Sequence, residues 1–235
     1  MDKRTKEIYS NLKDRFQDDT GQTYIMELDC WHWARYVQNV IKTGHSGDQV
    51  IGGKQWDMYM LSPTGWAINW DDFLYYLSAF LYRVFTFFHK VSVLVFAFYL
   101  PLFFSAIFII ILYAVSYKYG GNIGAVISCL FIGLTPIFIP RSVAGWFDKD
   151  IFTLLFPVAI LGVYSSMFNT ESGKKRLALL IFAAFLTGMF AFTWTHWWFI
   201  MFIIVIYEFL SSAYLGAVSF IPRLANPVSL RKHLF

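Results

Sequence analysis

Residues 91–117 read VSVLVFAFYLPLFFSAIFIIILYAVSY, a run without a charged side chain. At about 1.5 Å of helical rise per residue, the run is longer than the ~30 Å hydrocarbon layer of a bilayer. Four further apolar stretches cover roughly residues 120–140, 151–168, 177–195 and 198–220. The chain of 235 residues is 57% hydrophobic and 14% charged, with a mean hydropathy of +0.52. These values predict an all-α integral membrane protein with five spans and exclude a soluble globular domain.

The positions of the basic residues predict how the spans are oriented. The basic residues beside the spans are Lys118, Lys174, Lys175, Arg176, Arg223, Arg231 and Lys232. They fall after the first, third and fifth spans, which places them on one side of the membrane and predicts that this side is cytoplasmic. The net charge of +4 therefore reports topology, and we predict no nucleic-acid partner.

Three regions follow from this topology: an outer segment over residues 1–90, a five-span region over 91–220 and a basic cytoplasmic tail over 221–235. Residues 73–88 are aromatic-rich and contain Arg83, so we predict a helix lying in the outer membrane interface. A short, tilted span is the alternative.

The start of the chain contains no apolar leader that could export the outer segment. Residues 1–22 have no run of seven or more apolar residues. We therefore expect either that an upstream membrane helix is missing or that the first internal span directs translocation.

Four carboxylates share the predicted outer face. Residues 141–150 read RSVAGWFDKD and place Asp148 and Asp150 at the start of the third span, while Glu27 and Asp29 lie in the outer segment. Groups of oxygen ligands suit magnesium, manganese or calcium better than zinc. The four acids therefore indicate a divalent-cation site at the membrane surface.

Two of these acids also have a structural interpretation. Asp29 precedes a helix predicted over residues 30–41 and ended near Gly44, so its carboxylate is equally explained as a helix cap. Asp150 precedes the third span, where a helix dipole favours a negative charge. Taken singly, each acid is explained at least as well by a cap as by a metal ligand.

The loop acids carry a resemblance to a known family. Arg141, Gly145, Phe147, Asp148 and Asp150 match in spacing a motif of the form Arg, Gly, Tyr-Phe-Asp-x-Asp. That motif is similar to one in the catalytic subunit of oligosaccharyltransferase, in particular its archaeal single-subunit form. The resemblance runs from about residue 20 to the end of the last span.

The first acidic motif is a weaker match to the same family. Glu27-Leu28-Asp29 is followed by an aromatic helix with His32 and Arg35, and then by Trp56-Asp57, Pro63 and Gly65. The family has Gly or Asp where this chain has Glu27, and it has a proline that this chain lacks. The order of an interfacial helix and two spans between the motifs also fits.

The resemblance implies a GT-C-like multi-span helical bundle with an outer loop region and an interfacial helix. It implies transfer of an oligosaccharide from a dolichyl phosphate or pyrophosphate carrier to the Asn of Asn-x-Ser/Thr sequons. It also implies a cell-membrane protein whose active face is extracytoplasmic, with Mn²⁺ or Mg²⁺ as cofactor. Asp29, Asp148 and Asp150 are the implied metal ligands and catalytic residues.

Three further residues are candidates for contact with the lipid phosphate: Arg141, Trp194 and His196. Arg141 is equally explained as an interfacial basic residue that reaches to water. The aromatic residues around His196 are also explained by the aromatic belt of membrane proteins.

The family has further spans, another metal-binding acid and a C-terminal domain that are absent from these 235 residues. We therefore expect the isolated chain to carry half of an active site. A fragment of a longer protein, one half of a split gene and a decayed copy all remain as explanations, and a split gene predicts a separate chain that supplies the missing half.

Two other classes of protein remain as alternatives. A different transferase that uses polyprenyl-phosphate sugars, such as a protein mannosyltransferase, also places acids in its first outer loop. A membrane transporter would use Glu208, which lies near the middle of the fifth span, as an ion carrier.

Overall fold

The computed structural model describes residues 2–68 and 72–219. It contains the helices α1 (Lys3–Phe16), α2 (Leu28–Thr43), α3 (Phe73–Phe88), α4 (Val93–Gly133), α5 (Phe138–Ser142), α6 (Asp150–Phe168), α7 (Gly173–Ala191) and α8 (Trp198–Ser219). The strands are β1 (Gln49–Ile51), β2 (Lys54–Asp57) and β3 (Trp66–Ala67). The prediction of an all-α membrane architecture is confirmed, apart from this small sheet.

The described residues form two compact units. Unit 1 contains the chain up to Phe108 together with Phe131–Ile151, and unit 2 contains Ile109–Leu130 and the chain from Phe152 onward. Both acidic motifs lie in unit 1. The predicted tail over residues 221–235 lies outside the described residues.

The bounds of helix α2 are set by Glu27 at its start and Gly44 at its end. Gly44 ends it in the left-handed conformation at φ 84°, which glycine adopts without a steric penalty. At the other end Glu27 precedes the helix without a side-chain capping bond, and Asp29 lies inside the first turn. The helix predicted over residues 30–41 is confirmed, whereas the capping role for Asp29 is wrong because the cap position falls two residues earlier.

A three-stranded antiparallel sheet in the order β1-β2-β3 packs beside α2. Asp57 at the end of β2 is fully buried. It accepts hydrogen bonds from Arg35 (2.5 Å) and Tyr36 (2.8 Å), both on α2. Arg35 also pairs with Asp48, which precedes β1. The guanidinium therefore connects α2 to a carboxylate at each end of the β1–β2 hairpin.

Asp57 is held in its charged form by these contacts. Burial alone raises the pKa of a carboxyl group, but the bonds from Arg35, Tyr36 and two backbone N–H groups outweigh burial and lower the pKa of Asp57 to about 2. Asp57 is therefore a buried, charged carboxylate that connects α2 to the end of β2.

Helix α3 packs against α2 and leaves its far side exposed. Its N-terminus is capped by Asp72, whose Oδ1 accepts the N–H of Leu74 at 3.1 Å. The Tyr75 ring contacts the rings of Trp33 and Tyr36, with centroids 5.7 and 5.0 Å apart. The exposed side carries Phe80, Val84, Phe87 and Phe88. The helix is where it was predicted, and its location in the membrane interface stays a prediction.

Within the described residues, three helices are long and apolar enough to cross a membrane: Val93–Gly133, Asp150–Phe168 and Trp198–Ala217. The first of these is interrupted at Gly121, where φ is 59° and ψ is −162°. Its two arms fold back on one another, since the Cys129 thiol lies 3.7 Å from the Ile109 carbonyl oxygen. The arms correspond to the first two predicted spans.

Two predicted spans differ from the structure. The second was expected to reach residue 140, but α4 ends at Gly133, just before Pro136, which has no N–H to continue a helix. The fourth corresponds to α7, whose first turn carries Lys174, Lys175 and Arg176. Because of these charges α7 is not among the three helices that are apolar enough to cross a membrane, so its membrane crossing stays a prediction.

Two charged residues of unit 2, Lys118 and Glu208, have partners. Lys118 donates to the Ser166 hydroxyl, and Tyr164 on α6 donates to the Glu208 carboxylate on α8. Glu208 lies near the middle of the fifth predicted span, where an unpaired charge costs about 3 kcal/mol on insertion scales, so a partner of this kind is expected there. Glu208 therefore links two helices.

Gly145 joins the acidic loop to the rest of unit 1. Its N–H donates to the Phe98 carbonyl at 2.7 Å, and its carbonyl accepts the N–H of Met26 at 3.1 Å. Its φ is 93°, and a Cβ at this position would lie 2.9 Å from the Phe98 ring. Only glycine satisfies both conditions.

We expect Asp57→Ala to lower the free energy of unfolding by about 3–5 kcal/mol, because it leaves Arg35 without one of its buried partners. Urea unfolding of the protein in detergent micelles measures this change. Asp19→Ala, which removes an exposed carboxylate, is the control and should change the value little.

The same carboxylate gives a pH dependence. Because the folded pKa is depressed from 3.8 to about 2, its contribution to stability is complete above pH 3.8 and is lost as the pH falls through about 2. The Asp57→Ala variant should lack this part of the acid destabilisation; an identical acid profile would contradict the assignment.

We expect Gly145→Ala to destabilise the fold by about 2–4 kcal/mol, from the unfavourable φ together with the overlap on Phe98. Gly188→Ala, at a helical position with open space around the added Cβ, is the matched control and should be neutral or slightly stabilising. Equal unfolding energies for the two variants would contradict this account of the loop.

Candidate active site

Asp148 lies against the first turn of α2. Its charge acts on the Cys30 thiol, which is buried, and burial together with Asp148 raises the pKa of that thiol to about 12. The Trp33 indole, one turn further along α2, faces the same carboxylate and lowers its pKa slightly. The second acidic motif is thus packed onto the helix turn that carries Asp29.

Asp148 is electrostatically strained as an anion. Burial raises its pKa, and the neighbouring Asp150 carboxylate raises it further, whereas the Lys149 N–H and ammonium act in the opposite direction. The backbone N–H of Lys149 donates to Asp148 Oδ1 at 2.6 Å. A positive ligand near this carboxylate would offset both effects that raise the pKa.

Asp150 is oriented by two residues of its own loop. Arg141 Nη1 donates to Asp150 Oδ2 at 3.0 Å, and the Trp146 indole N–H donates to the same oxygen at 3.2 Å. The Arg141 guanidinium also lies 6.0 Å from the Trp146 ring centre. Through these contacts Arg141 orients an acid of the loop, and its contact with a lipid phosphate stays a prediction.

Lys149, between the two acids, connects the loop to α3. Its Nζ donates to Asp72 Oδ2 at 3.0 Å and lies 4.5 Å from the centre of the Trp33 ring. The Asp72 side chain is only 2% exposed, and burial raises its pKa while Lys149 lowers it.

Sequence reasoning missed both Lys149 and Asp72. The available signals were a lysine between two acids and an acid immediately before an apolar helix, but neither signal reveals that the two residues meet.

Asp29 is exposed in the first turn of α2, four residues before Trp33, and therefore on the same side of the helix. Its charge also acts on His32, where burial lowers the pKa of the imidazole and the acids Asp57 and Asp29 raise it. His32 and Arg35 face the Asp57 cluster, which gives these two motif residues a structural role.

Trp194 and His196 belong to unit 2. Trp194 is half-buried among aromatic rings, with centroids 5.9 Å from Phe190 and 5.8 Å from Phe199, and the exposed His196 ring lies 5.0 Å from it. Their contact with a lipid phosphate stays a prediction.

The described residues fit part of a divalent-cation site. The donors are carboxylate oxygens, which suit a hard cation, and the raised pKa of Asp148 indicates a position where a positive charge is favourable. Within residues 2–68 and 72–219, however, no three His, Cys, Asp or Glu side chains are close enough together to hold a metal ion. Further ligands are required to complete such a site.

Known proteins resemble this chain over most of its length. The family described as Oligosaccharyl transferase STT3, N-terminal, matches residues 5–228. The dolichyl-phosphooligosaccharide-protein glycotransferase of Methanococcus voltae is 27% identical over 212 residues, covering 86% of this chain and 23% of the relative. The protein of the same name from Methanocaldococcus jannaschii is 28% identical over 153 residues, covering 61% of this chain and 16% of the relative.

Solved structures share the fold. The Archaeoglobus fulgidus oligosaccharyltransferase in complex with Zn and sulfate has a TM-score of 0.69 at 21% identity, covering 81% of this chain and 24% of that protein. The archaeal oligosaccharyltransferase AglB from the same organism, in complex with an inhibitory peptide and a dolichol-phosphate, has a TM-score of 0.67 at 20% identity, covering 81% of this chain and 22% of that protein. A third A. fulgidus structure, tethered to an acceptor peptide containing the NVT sequon, has a TM-score of 0.63 at 17% identity. It covers 86% of this chain and 25% of that protein.

This chain spans about a quarter or less of the length of the relatives that it matches. The family match nevertheless covers nearly all of its residues, and the two acidic motifs that carry the resemblance lie together in unit 1. The chain therefore belongs to the STT3 oligosaccharyltransferase family and corresponds to its N-terminal part.

Proposed function

We propose that this chain provides the N-terminal, membrane-embedded part of an oligosaccharyltransferase that glycosylates asparagine. The observation that carries the proposal is the packing of Asp148 against the first turn of α2, beside Cys30 and Trp33. Two motifs more than a hundred residues apart thereby contribute acids to one region of unit 1.

The substrates follow from the relatives. The curated relatives are named for a dolichyl-phosphooligosaccharide donor, and the A. fulgidus enzyme has been solved with a dolichol-phosphate and with a peptide containing the NVT sequon. We assign this protein a dolichyl phosphate or pyrophosphate oligosaccharide as donor and the asparagine of Asn-x-Ser/Thr as acceptor.

The acids are assigned to a divalent cation, Mg²⁺ or Mn²⁺. Asp29 and Asp148 would hold it, with Asp150 as a further ligand or as a support oriented by Arg141 and Trp146. When bound, a cation stabilises the negative charge that develops on the departing lipid phosphate. Asp29, exposed at the helix start, is placed to accept hydrogen bonds from the amide of the acceptor asparagine.

Lys149 acts as a positioning residue. Its ion pair with Asp72 and its contact with Trp33 connect the acidic loop to α3 and α2. Placed beside Asp148, it also limits the accumulated negative charge when no cation is bound.

The remaining ligands and the sequon-reading part would come from polypeptide outside this chain, either as a continuation or as a separate partner. The distribution of basic residues supports an extracytoplasmic location for the acidic cluster at the cell membrane. Arg141, Trp194 and His196 remain the candidates for contact with the lipid phosphate.

The two alternatives have less support. The family model that matches residues 5–228 is that of oligosaccharyltransferase, which favours this activity over that of a protein mannosyltransferase. Glu208, which a transporter would use as an ion carrier, accepts a hydrogen bond from Tyr164 and so has an interhelical role.

We expect Asp148→Asn to abolish glycan transfer by the reconstituted enzyme. The test co-expresses this chain with the C-terminal part of an archaeal relative and measures transfer of a lipid-linked oligosaccharide to an Asn-x-Thr peptide. Transfer should require the partner and Mn²⁺ or Mg²⁺ and should fall by about 10²-fold or more in the variant. Asp19→Asn, which removes an exposed acid outside both acidic motifs, is the matched control.

Two results would count against the proposal. Transfer by Asp148→Asn equal to that of Asp19→Asn would remove Asp148 from the reaction. The absence of transfer with every partner, while a full-length relative is active in the same assay, would show that this chain is not catalytic.

We expect Lys149→Met to reduce both stability and transfer, because it leaves Asp72 buried without its cation. The double variant Lys149→Met/Asp72→Asn keeps the helix cap and removes the buried charge, so it should recover most of the stability. Transfer should stay reduced about tenfold, since the loop has lost its link to α3. Full recovery of transfer in the double variant would contradict the positioning role.

A further inference from the structure

Helix α1 has no buried residue, although one of its faces is apolar. The exposed fractions of its apolar side chains are 51% for Ile8, 60% for Tyr9, 49% for Leu12 and 51% for Phe16. At 3.6 residues per turn these four residues form one continuous stripe along the helix. The stripe is unpartnered within the described residues.

The charges of α1 are arranged around this apolar stripe. The helix carries five basic and two acidic side chains. Helical spacing places Arg4 and Arg15 along one border of the stripe, and Lys6 and Lys13 along the other. The acids Glu7 and Asp14 fall on the opposite side of the helix.

Basic residues at both borders suit a helix lying flat on a bilayer. Their aliphatic stems can follow the apolar face down to the acyl boundary while their charged ends reach the phosphates. The acids, on the opposite side, would face water and avoid the negative surface. A helix of 14 residues is about 21 Å long, too short to cross a ~30 Å layer.

The turn after α1 is anchored beside the start of a membrane span. Phe16 and Tyr24 are joined by a backbone hydrogen bond of 2.8 Å, which closes the turn over residues 17–23. Within that turn, Gln22 Oε1 accepts a hydrogen bond from the Ser92 hydroxyl at 3.3 Å. Ser92 immediately precedes α4, which begins at Val93 and is apolar enough to cross the membrane. The turn that follows α1 therefore lies beside the start of a helix that is apolar enough to cross a membrane.

We propose that α1 is a membrane-surface helix that binds anionic lipid headgroups through its two basic borders and inserts Ile8, Leu12 and Phe16 at the acyl boundary. The net positive charge of the helix selects a negatively charged lipid surface, and the Gln22–Ser92 contact supplies the location. This role is independent of the proposed transferase function.

A spin-label experiment on the whole chain tests the proposal. Nitroxides are attached at Leu12→Cys, within the stripe, and at Ser10→Cys, a neutral position on the far side of the helix. Both variants carry Cys129→Ala, and the residual labelling of the buried Cys30 is measured in the protein without an added cysteine. The protein is reconstituted into vesicles of phosphatidylglycerol or of phosphatidylcholine. Collision with oxygen reports contact with lipid, and collision with a water-soluble nickel complex reports contact with water.

In phosphatidylglycerol vesicles we expect the ratio of oxygen to nickel collisions to be about fivefold or more higher at position 12 than at position 10. The variant in which Arg4, Lys6, Lys13 and Arg15 are all replaced by Gln should lose most of this difference. Phosphatidylcholine vesicles should give a smaller difference than phosphatidylglycerol vesicles, because the electrostatic attraction is absent.

Two outcomes would overturn the proposal. A label at position 12 that collides freely with nickel in phosphatidylglycerol vesicles would show that the stripe faces water. A label that is immobile and inaccessible to both reagents would show that the stripe packs against protein. Both readouts are independent of glycan transfer, so failure of this proposal and failure of the proposed function are distinguishable.

Discussion

The backbone of Gly145 is the constraint on which the rest of unit 1 depends. One peptide group on each side of this residue binds a different part of the chain, Phe98 in the first arm of α4 and Met26 just before α2. A loop that connects two membrane helices is thereby fixed to the outer segment. Because the φ of 93° and the close approach of Phe98 both exclude a side chain, the acidic motif can lie beside α2 only with glycine at this position.

Charge is balanced locally around this loop. Asp150 is paired with Arg141, Lys149 with Asp72, and Asp57 with Arg35, so most of the nearby acids have a cationic partner. Asp148 accepts the backbone N–H of Lys149 but forms no ion pair among the described residues, and burial raises its pKa. Asp148, one of the three acids proposed as metal ligands, therefore lies where a positive charge would offset the effects that raise its pKa.

The membrane imposes a different rule on unit 2. Two pairs of its polar side chains meet between helices, Lys118 with Ser166 and Tyr164 with Glu208. Apolar side chains such as Phe202 and Phe209 are left facing outward, where a bilayer or further helices of the same family would cover them. The position of Glu208 in the fifth predicted span is compatible with ion transport. Its hydrogen bond with Tyr164 instead indicates that it pairs two helices.

The sequence by itself determined α2 and α3, the apolar runs that correspond to α4, α6, α7 and α8, the end of α2 at Gly44 and the family, because hydrophobic runs, glycines and motif spacing are local properties. It did not determine α1, the sheet around Asp57, the position of Asp29 inside the first turn of α2 or the contact of Lys149 with Asp72. Those contacts join residues as far apart as Asp72 and Lys149, and a chain of this length offers many carboxylates to each lysine. Only the tertiary structure decided which acid each basic residue meets, since that choice depends on how α2, α3 and the Gly145 loop pack together.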